Sequence, residues 1–240
     1  MSGYFLRVRL ISDTTFGRGD GVSGSIDAEV EHDAIGLPFL RGRTLKGLLA
    51  EECANIIYAI ECQGSGFSDW RALARRLFGQ PGSTLDDDGE LRISDARLPG
   101  IVIQSVKAEI DLRLSPRPDE QKNAMREDEV IAALTAIRRQ TAIDPNGAPR
   151  AGSLRSARVV LRQTIFEAPL SCDFDLNEQS RERELGLLVA CAASLRRAGS
   201  GRNRGRGRVQ VTLLRRAAAG VEDLTTQGLN IFGKLLKEVN

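Results

Sequence analysis

The amino-acid sequence predicts an α+β fold whose core runs strand, helix, strand, strand, helix, strand. Three observations carry that prediction. Short segments with two-residue apolar alternation sit near both ends of the chain, at Tyr4–Ile11 and Arg208–Leu214. Two long segments repeat apolar residues at steps of three and four, one opening near Thr44 and one near Asn177. Between them, residues from about 107 to 155 stand outside the βαββαβ order and read as an insertion.

Tyr4–Ile11 sets Phe5, Val8 and Leu10 among Arg7 and Arg9, a strand entered directly from the first residues. From Ser12 to about Gly42 the chain is loop-like. It holds Gly17, Gly19, Gly21, Gly24 and Gly36 and the acids Asp20, Asp27, Glu29, Glu31 and Asp33. Loops of this length inside a compact domain are functional or disordered. Leu45, Leu48, Leu49, Cys53, Ile56, Ile57 and Ile60 then trace one helix face. A second short helix starts at Ser68, an N-cap residue, and passes Trp70, Leu73 and Leu77 to stop at Gly79.

Asp86–Gly89 is a turn into the short strand Leu91–Ala96, and the apolar run Ile101–Val106 reads as a strand able to pair nearby. Residues 107–125 are polar and contain Pro116 and Pro118. Glu127–Arg139 reads as a helix, and Asp144-Pro-Asn-Gly147 as a hairpin turn. Val159–Ala168 and Cys172–Leu176 read as antiparallel strands joined around Pro169. The second long helix carries Leu185, Leu188, Ala192 and Leu195, and a final short one runs from about Gly228 to Leu236. With the insertion set aside, this is the ferredoxin-like (RNA-recognition-motif-like) order, with the insertion protruding from the sheet.

At 240 residues and 26.1 kDa the chain is one large domain or two small ones. The four cysteines, at 53, 62, 172 and 191, have no CxxC spacing. They read as reduced core residues of a cytoplasmic protein, neither a disulfide framework nor a zinc site. No secretory leader precedes the first strand and no apolar run approaches the length of a membrane span, so the expectation is a protein without membrane association. Only one histidine is present, His32, which excludes a two-histidine mechanism.

Charge is the sharper signal. The net charge is +2, yet Leu185–Val221 holds eight arginines and no acid, so the rest of the chain sums to 2 − 8 = −6. The densest part is Gly199-Ser-Gly-Arg-Asn-Arg-Gly-Arg-Gly-Arg-Val209, where Gly199, Gly201, Gly205 and Gly207 are interleaved with Arg202, Arg204, Arg206 and Arg208. Glycine lets backbone amides approach a ligand, and guanidinium groups grip phosphate, so a polyanion suits this loop. The competing reading is a disordered RGG-like linker, against which strand-like alternation resumes at Val209, Val211 and Leu213. Aromatic residues are few at 5%, so backbone contacts rather than base stacking would supply affinity.

Three features together resemble the RAMP superfamily of CRISPR-associated proteins, and within it the backbone subunits of type III effector complexes. The run Gly36-Leu-Pro-Phe-Leu-Arg-Gly-Arg-Thr-Leu-Lys-Gly47 is similar to the motif at the start of that family's first helix, with Arg41 and Arg43 where Pro and Ser are more usual. Leu77-Phe-Gly79 followed by Leu91-Arg-Ile-Ser-Asp-Ala96 is similar to its Leu-Phe-Gly and strand-Asp-Ala elements. The glycine/arginine loop matches the glycine-rich loop before its last strand. The resemblance spans residues 4–215. It implies a single RAMP domain over residues 1–240 whose insertion, about 107–155, is a thumb. It further implies binding of a CRISPR guide RNA, pairing of that guide with target RNA, and assembly with other effector subunits and copies of itself or paralogues. In catalytic members a first-loop aspartate supports metal-dependent target cleavage with Mg²⁺ or Mn²⁺; the matching residue is Asp27, in Ser25-Ile-Asp-Ala28.

Read from chemistry alone, Asp27 is a hard-cation ligand or an aid to attack by a 2′-hydroxyl, or one of several acids on a solvated loop; Asp33 is the next candidate, and Glu29 and Glu31 read as surface decoration. Arg43 and Lys46 open a helix, where cations oppose the dipole and therefore suggest a phosphate ligand, or else a solvated face. Arg138 and Arg139, with Arg150 and Arg155, flank the insertion and either grip RNA or pair with the acidic stretch 86–90. Three function classes follow: a target-cleaving guide-binding subunit, a scaffold subunit of the same kind without a site, and a guide-processing nuclease using His32.

Overall fold

The computed structural model describes residues 3–19, 26–63, 68–80, 89–172, 181–202 and 204–237. In order they form β1 (Gly3–Leu10), α1 (Gly42–Cys62), α2 (Ser68–Phe78), β2 (Arg92–Ile93), α3 (Gly100–Asp111), a 3-10 turn (Leu112–Leu114), α4 (Pro118–Asn123) and α5 (Glu127–Leu134). Then follow β3 (Thr135–Gln140), β4 (Arg155–Val160), β5 (Ile165–Ser171), α6 (Glu182–Ser194), β6 (Val209–Ala217), β7 (Gly220–Asp223) and α7 (Thr225–Lys237).

The main sheet is antiparallel in the order β2-β5-β1-β6-β7. With the edge strand β7 set aside, β6-β1-β5-β2 is the 4-1-3-2 order of the ferredoxin-like fold. Alternation explains why β1 is central. Tyr4, Leu6, Val8 and Leu10 all point into the core shared with α1 and α6. The opposite face is charged: Arg7 and Arg216 both pair with Glu167, and both guanidinium groups lie over the Phe5 ring.

Leu45, Leu49, Cys53, Ile57 and Ile60 of α1 meet this core, and each fully buried Leu is worth about 1.5–3 kcal/mol. α6 is buried from Glu184 to Ala192 because α7 covers its other side. The two helices approach closely at Gly228, where a side chain would put Cβ 2.4 Å from Val189 Cγ2. The buried Glu184 carboxylate is held by Arg76 and, at 3.0 Å, by Arg181. All four cysteines are free; Cys53 and Cys191 are buried as core residues, but Cys62 is exposed and Cys172 half-buried.

Several boundaries differ from the sequence reading. Ile101–Val106 is not a strand but part of α3. Its β-branched run mimics a strand, yet Pro99 precedes the helix and its carbonyl accepts the Val102 and Ile103 N–H groups. Val102, Val106 and Ile110 form the inward stripe, and the outward Ile101 is 73% exposed. The helix read over Glu127–Arg139 stops at Leu134, and the chain continues as β3, paired with β4 from Thr135↔Val160 to Gln140↔Arg155. Cross-strand partners well outside the helical window overrode local periodicity. Pro169 lies inside β5, not at a turn; the reversal is at Leu161–Thr164, where Gln163 has φ 72°. The turn at Asp144–Gly147 is present: Asp144 Oδ1 accepts the Asn146 and Ala148 N–H groups at 2.9 Å. The readings of Asp20, Gly21, Gly24, Asp86–Asp88 and the segment from residue 173 to 180 lie outside the described residues.

What positions the site is the loop after β1. Thr14 exchanges backbone hydrogen bonds with Val160 of β4, while its neighbour Thr15 pairs with Ser200 beyond α6. Ala28 runs parallel to Ala157 of β4. The loop is therefore laced on one side to the β3–β4 hairpin and on the other to the glycine/arginine segment.

Candidate nucleic-acid interface

The glycine/arginine segment is folded. Ala198 N–H donates to Gly207 O at 2.8 Å and Val209 N–H to Arg196 O at 2.9 Å, which closes the loop like a hairpin. Ser200 N–H donates to Thr15 O at 2.8 Å and Arg208 N–H to Ser12 Oγ at 2.9 Å. Gly199 and Gly207 take φ 82° and 74°, and a Cβ there would sit 2.5 Å from Thr15 O and 2.2 Å from Ala198 O. Only glycine meets both demands. Gly201 and Gly205 share the positive φ but face open space. Asn203 lies outside the described residues.

The frame is tied down by backbone bonds, which leaves the side chains available. Among the described residues Arg204, Arg206 and Arg208 have no acidic partner, whereas Arg202 pairs with Glu51 of α1 at 3.2 Å. Two concavities border the loop. A cleft of about 390 Å³ lies between Gly199, Ser200 and Arg202, Phe16 and Phe39, and the stripe Thr44, Gly47, Leu48 and Glu51 of α1. A groove of about 710 Å³ lies on the other side, walled by Asp13, Arg138, Arg162, Gly205 and Arg206.

Arg43 and Lys46 are on the first turns of α1 but outside the stripe that faces the cleft; Arg43 is exposed and Lys46 half-buried. The start of α1 is instead capped from within: Asp95 Oδ1 accepts the Gly42 N–H at 2.9 Å. A side chain at Gly42 would collide with Ile93 O at 2.1 Å. Arg138 reaches back to Asp13, with Nε and Nη2 at 2.9 and 2.7 Å from Oδ2. Arg139 is exposed and lies opposite Ser156 in the hairpin register.

Ser156 is the residue that holds Asp27. Its backbone N–H and its hydroxyl lie 2.6 and 3.2 Å from Asp27 Oδ2, and the Asp27 N–H returns a bond to Ser156 O at 3.0 Å. Arg155 approaches Oδ1 at 3.7 Å, and the Asp27 side chain is 46% exposed. The Ser156 amide, outweighing partial desolvation, together with the Ser156 hydroxyl and the Arg155 charge, holds the carboxyl below the ordinary aspartate range. Asp27 is thus an anion with one oxygen fixed and the other turned outward beside Arg155.

The remaining loop acids are structural. Asp33 Oδ1 accepts the Ile35 and Leu37 N–H groups at 3.1 and 3.0 Å, and Oδ2 meets Arg97 at 3.3 Å. Glu29 is buried, contrary to the expectation of a surface residue, and lies 2.8 Å from Arg158 Nε. Glu31 pairs with Arg41 at 2.8 Å. His32 places Nδ1 3.0 Å from Asp33 O. Among the described residues no three His, Cys, Asp or Glu side chains converge as a metal cage, and no helix is long and apolar enough to cross a membrane.

A family model of the RAMP superfamily matches residues 7–210. The chain belongs to the RAMP superfamily. Solved structures similar to it include a chain of a type III-B Cmr-β complex bound to cognate target RNA, with TM-score 0.57 and 17% identity. A chain of type III-B Cmr-β in the apo state gives TM-score 0.56 and 17% identity. Each match covers 89% of this chain and 97% of the other. At that identity the likeness concerns the fold. No curated protein matched this chain by sequence.

In this RAMP chain the sequence motifs mark backbone geometry better than they mark contacts. Asp95 of the strand-Asp-Ala element serves as the α1 cap, and the motif glycine Gly42 is what admits it. Ser156, Arg162 and Asp13 carried no signal of their own, since a lone Ser, Arg or Asp has no spacing to announce a partner more than 100 residues away.

Proposed function

We propose that this RAMP protein is a guide-RNA-binding subunit of a type III CRISPR effector complex and that it cleaves target RNA through Asp27. The observation that carries the reading is a backbone-clamped arginine loop bonded at Thr15 to the same β1–α1 connection that carries the half-exposed carboxylate of Asp27. Support comes from the fold shared with chains of type III-B complexes, one of them bound to target RNA. On this reading the partners are a CRISPR guide RNA, its target RNA, other effector subunits and further copies of this chain. The protein is one domain, and residues of about 107–155, which include β3 and end where β4 begins, are a thumb between duplex segments. Arg138 and Arg139 on β3, Arg43 and Lys46 on α1, and Gly199–Arg208 are the RNA-binding set.

Asp27 fits a Mg²⁺ or Mn²⁺ ion held mainly by water and substrate phosphate, since Mg²⁺ commonly uses one or two carboxylates in this way. The outward Oδ1 would hold it. Such a cation neutralises charge on the phosphoryl oxygens. A carboxyl held in its anionic form is a poor proton acceptor, so the role that suits Asp27 is electrostatic organisation of the phosphate rather than general-base catalysis. Attack by the neighbouring 2′-hydroxyl would leave a cyclic phosphate and a free 5′-hydroxyl.

One observation favours a second reading, a scaffold subunit without chemistry. Asp27 spends Oδ2 on Ser156, a bond that also serves to pin the loop to the hairpin. The test of RNA binding is a salt titration with the four loop arginines, 202, 204, 206 and 208, changed to Ala. Affinity should fall for every RNA sequence, and each lost phosphate contact should remove roughly 0.7–0.9 from the log–log slope. An unchanged slope means that the loop does not touch the backbone.

A further inference from the structure

Asp13 sits where three elements meet. Its carbonyl accepts the Gly207 N–H of the glycine/arginine loop at 3.2 Å. Its Oδ1 accepts the Arg162 N–H of the β4–β5 turn at 3.1 Å. Its Oδ2 takes the Arg138 guanidinium of the hairpin at 2.7 Å. The carboxylate is only 20% exposed. Burial opposes its ionisation, but the Arg138 hydrogen bond, the Arg162 amide and both guanidinium charges outweigh that and keep it anionic.

These bonds assemble the groove of about 710 Å³ between the hairpin and the loop. Its wall carries Arg138, Arg162 and Arg206 against one carboxylate, so it holds a net 3 − 1 = +2 charges. Among the described residues neither the Arg162 nor the Arg206 guanidinium is locked in an ion pair, although Arg162 feels the Asp13 charge nearby. A concave surface with surplus guanidinium groups on three separately anchored elements suits successive phosphates of one strand. The cleft on the other side of the loop is different, because its carboxylates Glu31 and Glu51 each face an arginine.

We propose that Asp13 is a positioning residue that joins Arg138, Arg162 and the glycine/arginine loop into one groove for an RNA phosphate backbone, with Arg162 in direct contact. This rests on the RNA-binding reading above and adds two residues to it. It makes a prediction of unusual sign. Removing a negative charge beside a polyanion ordinarily strengthens binding, whereas removing a residue that positions arginines weakens it.

The test is fluorescence anisotropy of the full chain with a labelled single-stranded RNA of mixed sequence, across a series of salt concentrations. Arg162→Ala should weaken binding about tenfold, the worth of one hydrogen bond to a charged group. It should also lower the log–log slope by about 0.7. Asp13→Ala should weaken binding about as much despite the charge it removes. Tighter binding by Asp13→Ala, or wild-type binding by Arg162→Ala, overturns the proposal. So does a polyglutamate competitor that displaces the RNA at equal charge concentration, since the groove would then be an acidic-peptide site. If Asp13→Ala does not fold, Arg162→Ala decides alone, because its backbone amide still meets Asp13. The four-arginine loop variant separates the two readings. Its loss of binding with Arg162→Ala and Asp13→Ala unaffected overturns the groove alone, and its wild-type binding overturns the RNA reading beneath it.

Discussion

The glycine/arginine loop is laced at Thr15 to the β1–α1 connection, the Asp27 segment is a later part of that same connection, and the two are built in opposite ways. In the loop the backbone makes the bonds: Ala198 to Gly207, Ser200 to Thr15, Val209 to Arg196. Its charged side chains are left outside that frame. At Asp27 the carboxylate proposed to act is itself part of the frame, with Oδ2 bonded to Ser156 and Oδ1 beside Arg155. The difference suits the two tasks proposed for them. Gripping a polyanion of any sequence needs many adaptable cations on a fixed support, whereas organising one phosphate needs one group held in a single orientation.

Breaking the support of the loop should therefore cost more binding than removing any one of its arginines. Gly207→Ala places Cβ against Ala198 O at φ 74°, so the hairpin-like closure must shift. RNA affinity should fall by more than tenfold, as several charge-assisted contacts lose register together. Gly201→Ala, with a positive φ but open space, should lose less than half as much on a logarithmic scale. Electrophoretic mobility shift with paired thermal melts checks both; equal losses would mean that crowding at Gly207 is not what matters.

At Asp27 the corresponding change is milder. Ser156→Ala removes the hydroxyl at 3.2 Å but keeps the amide at 2.6 Å, so target cleavage should slow by several-fold, the worth of about 1 kcal/mol. Target affinity should stay the same, and Ser156→Thr should restore the rate. A fall in affinity without a fall in single-turnover rate would assign Ser156 to folding of the hairpin. Smallest of all is His32→Ala, whose ring makes one contact to a neighbouring carbonyl, and which should leave cleavage within twofold of wild type. A large loss there would restore the processing-nuclease reading.

The comparison also explains what was legible in the sequence. The loop announces itself because glycines forced by positive φ and clustered arginines are local signals, and the core strands and helices show because their periods are local too. Asp27 is singled out by the family resemblance alone and Ser156 by nothing, since the bond between them spans 129 positions and leaves no pattern in either segment. Arg43 and Lys46 stand out in the sequence for sitting at a helix start, whereas rotation about the helix axis, which a start signal does not report, is what turns Thr44, Gly47 and Glu51 to the cleft. The β3 strand was hidden by Ile137, which continues a helical stripe in sequence while pairing with Arg158 in space. Glu29 looked like a solvated acid because its partner Arg158 belongs to a strand recognised only by its far end.

The most direct test of the division of labour is to measure guide binding and single-turnover target cleavage side by side in complexes carrying either Asp27→Ala or the four-arginine loop change. The expected result is a double dissociation. Asp27→Ala should lose cleavage by at least about a hundredfold, in the range of other electrostatic groups removed from a reacting centre, with guide and target affinity nearly intact. The loop variant should lose affinity and salt dependence, and whatever complex still forms at high concentration should cleave at close to the normal rate. Normal cleavage by Asp27→Ala, or a parallel loss of both properties in both variants, would contradict it.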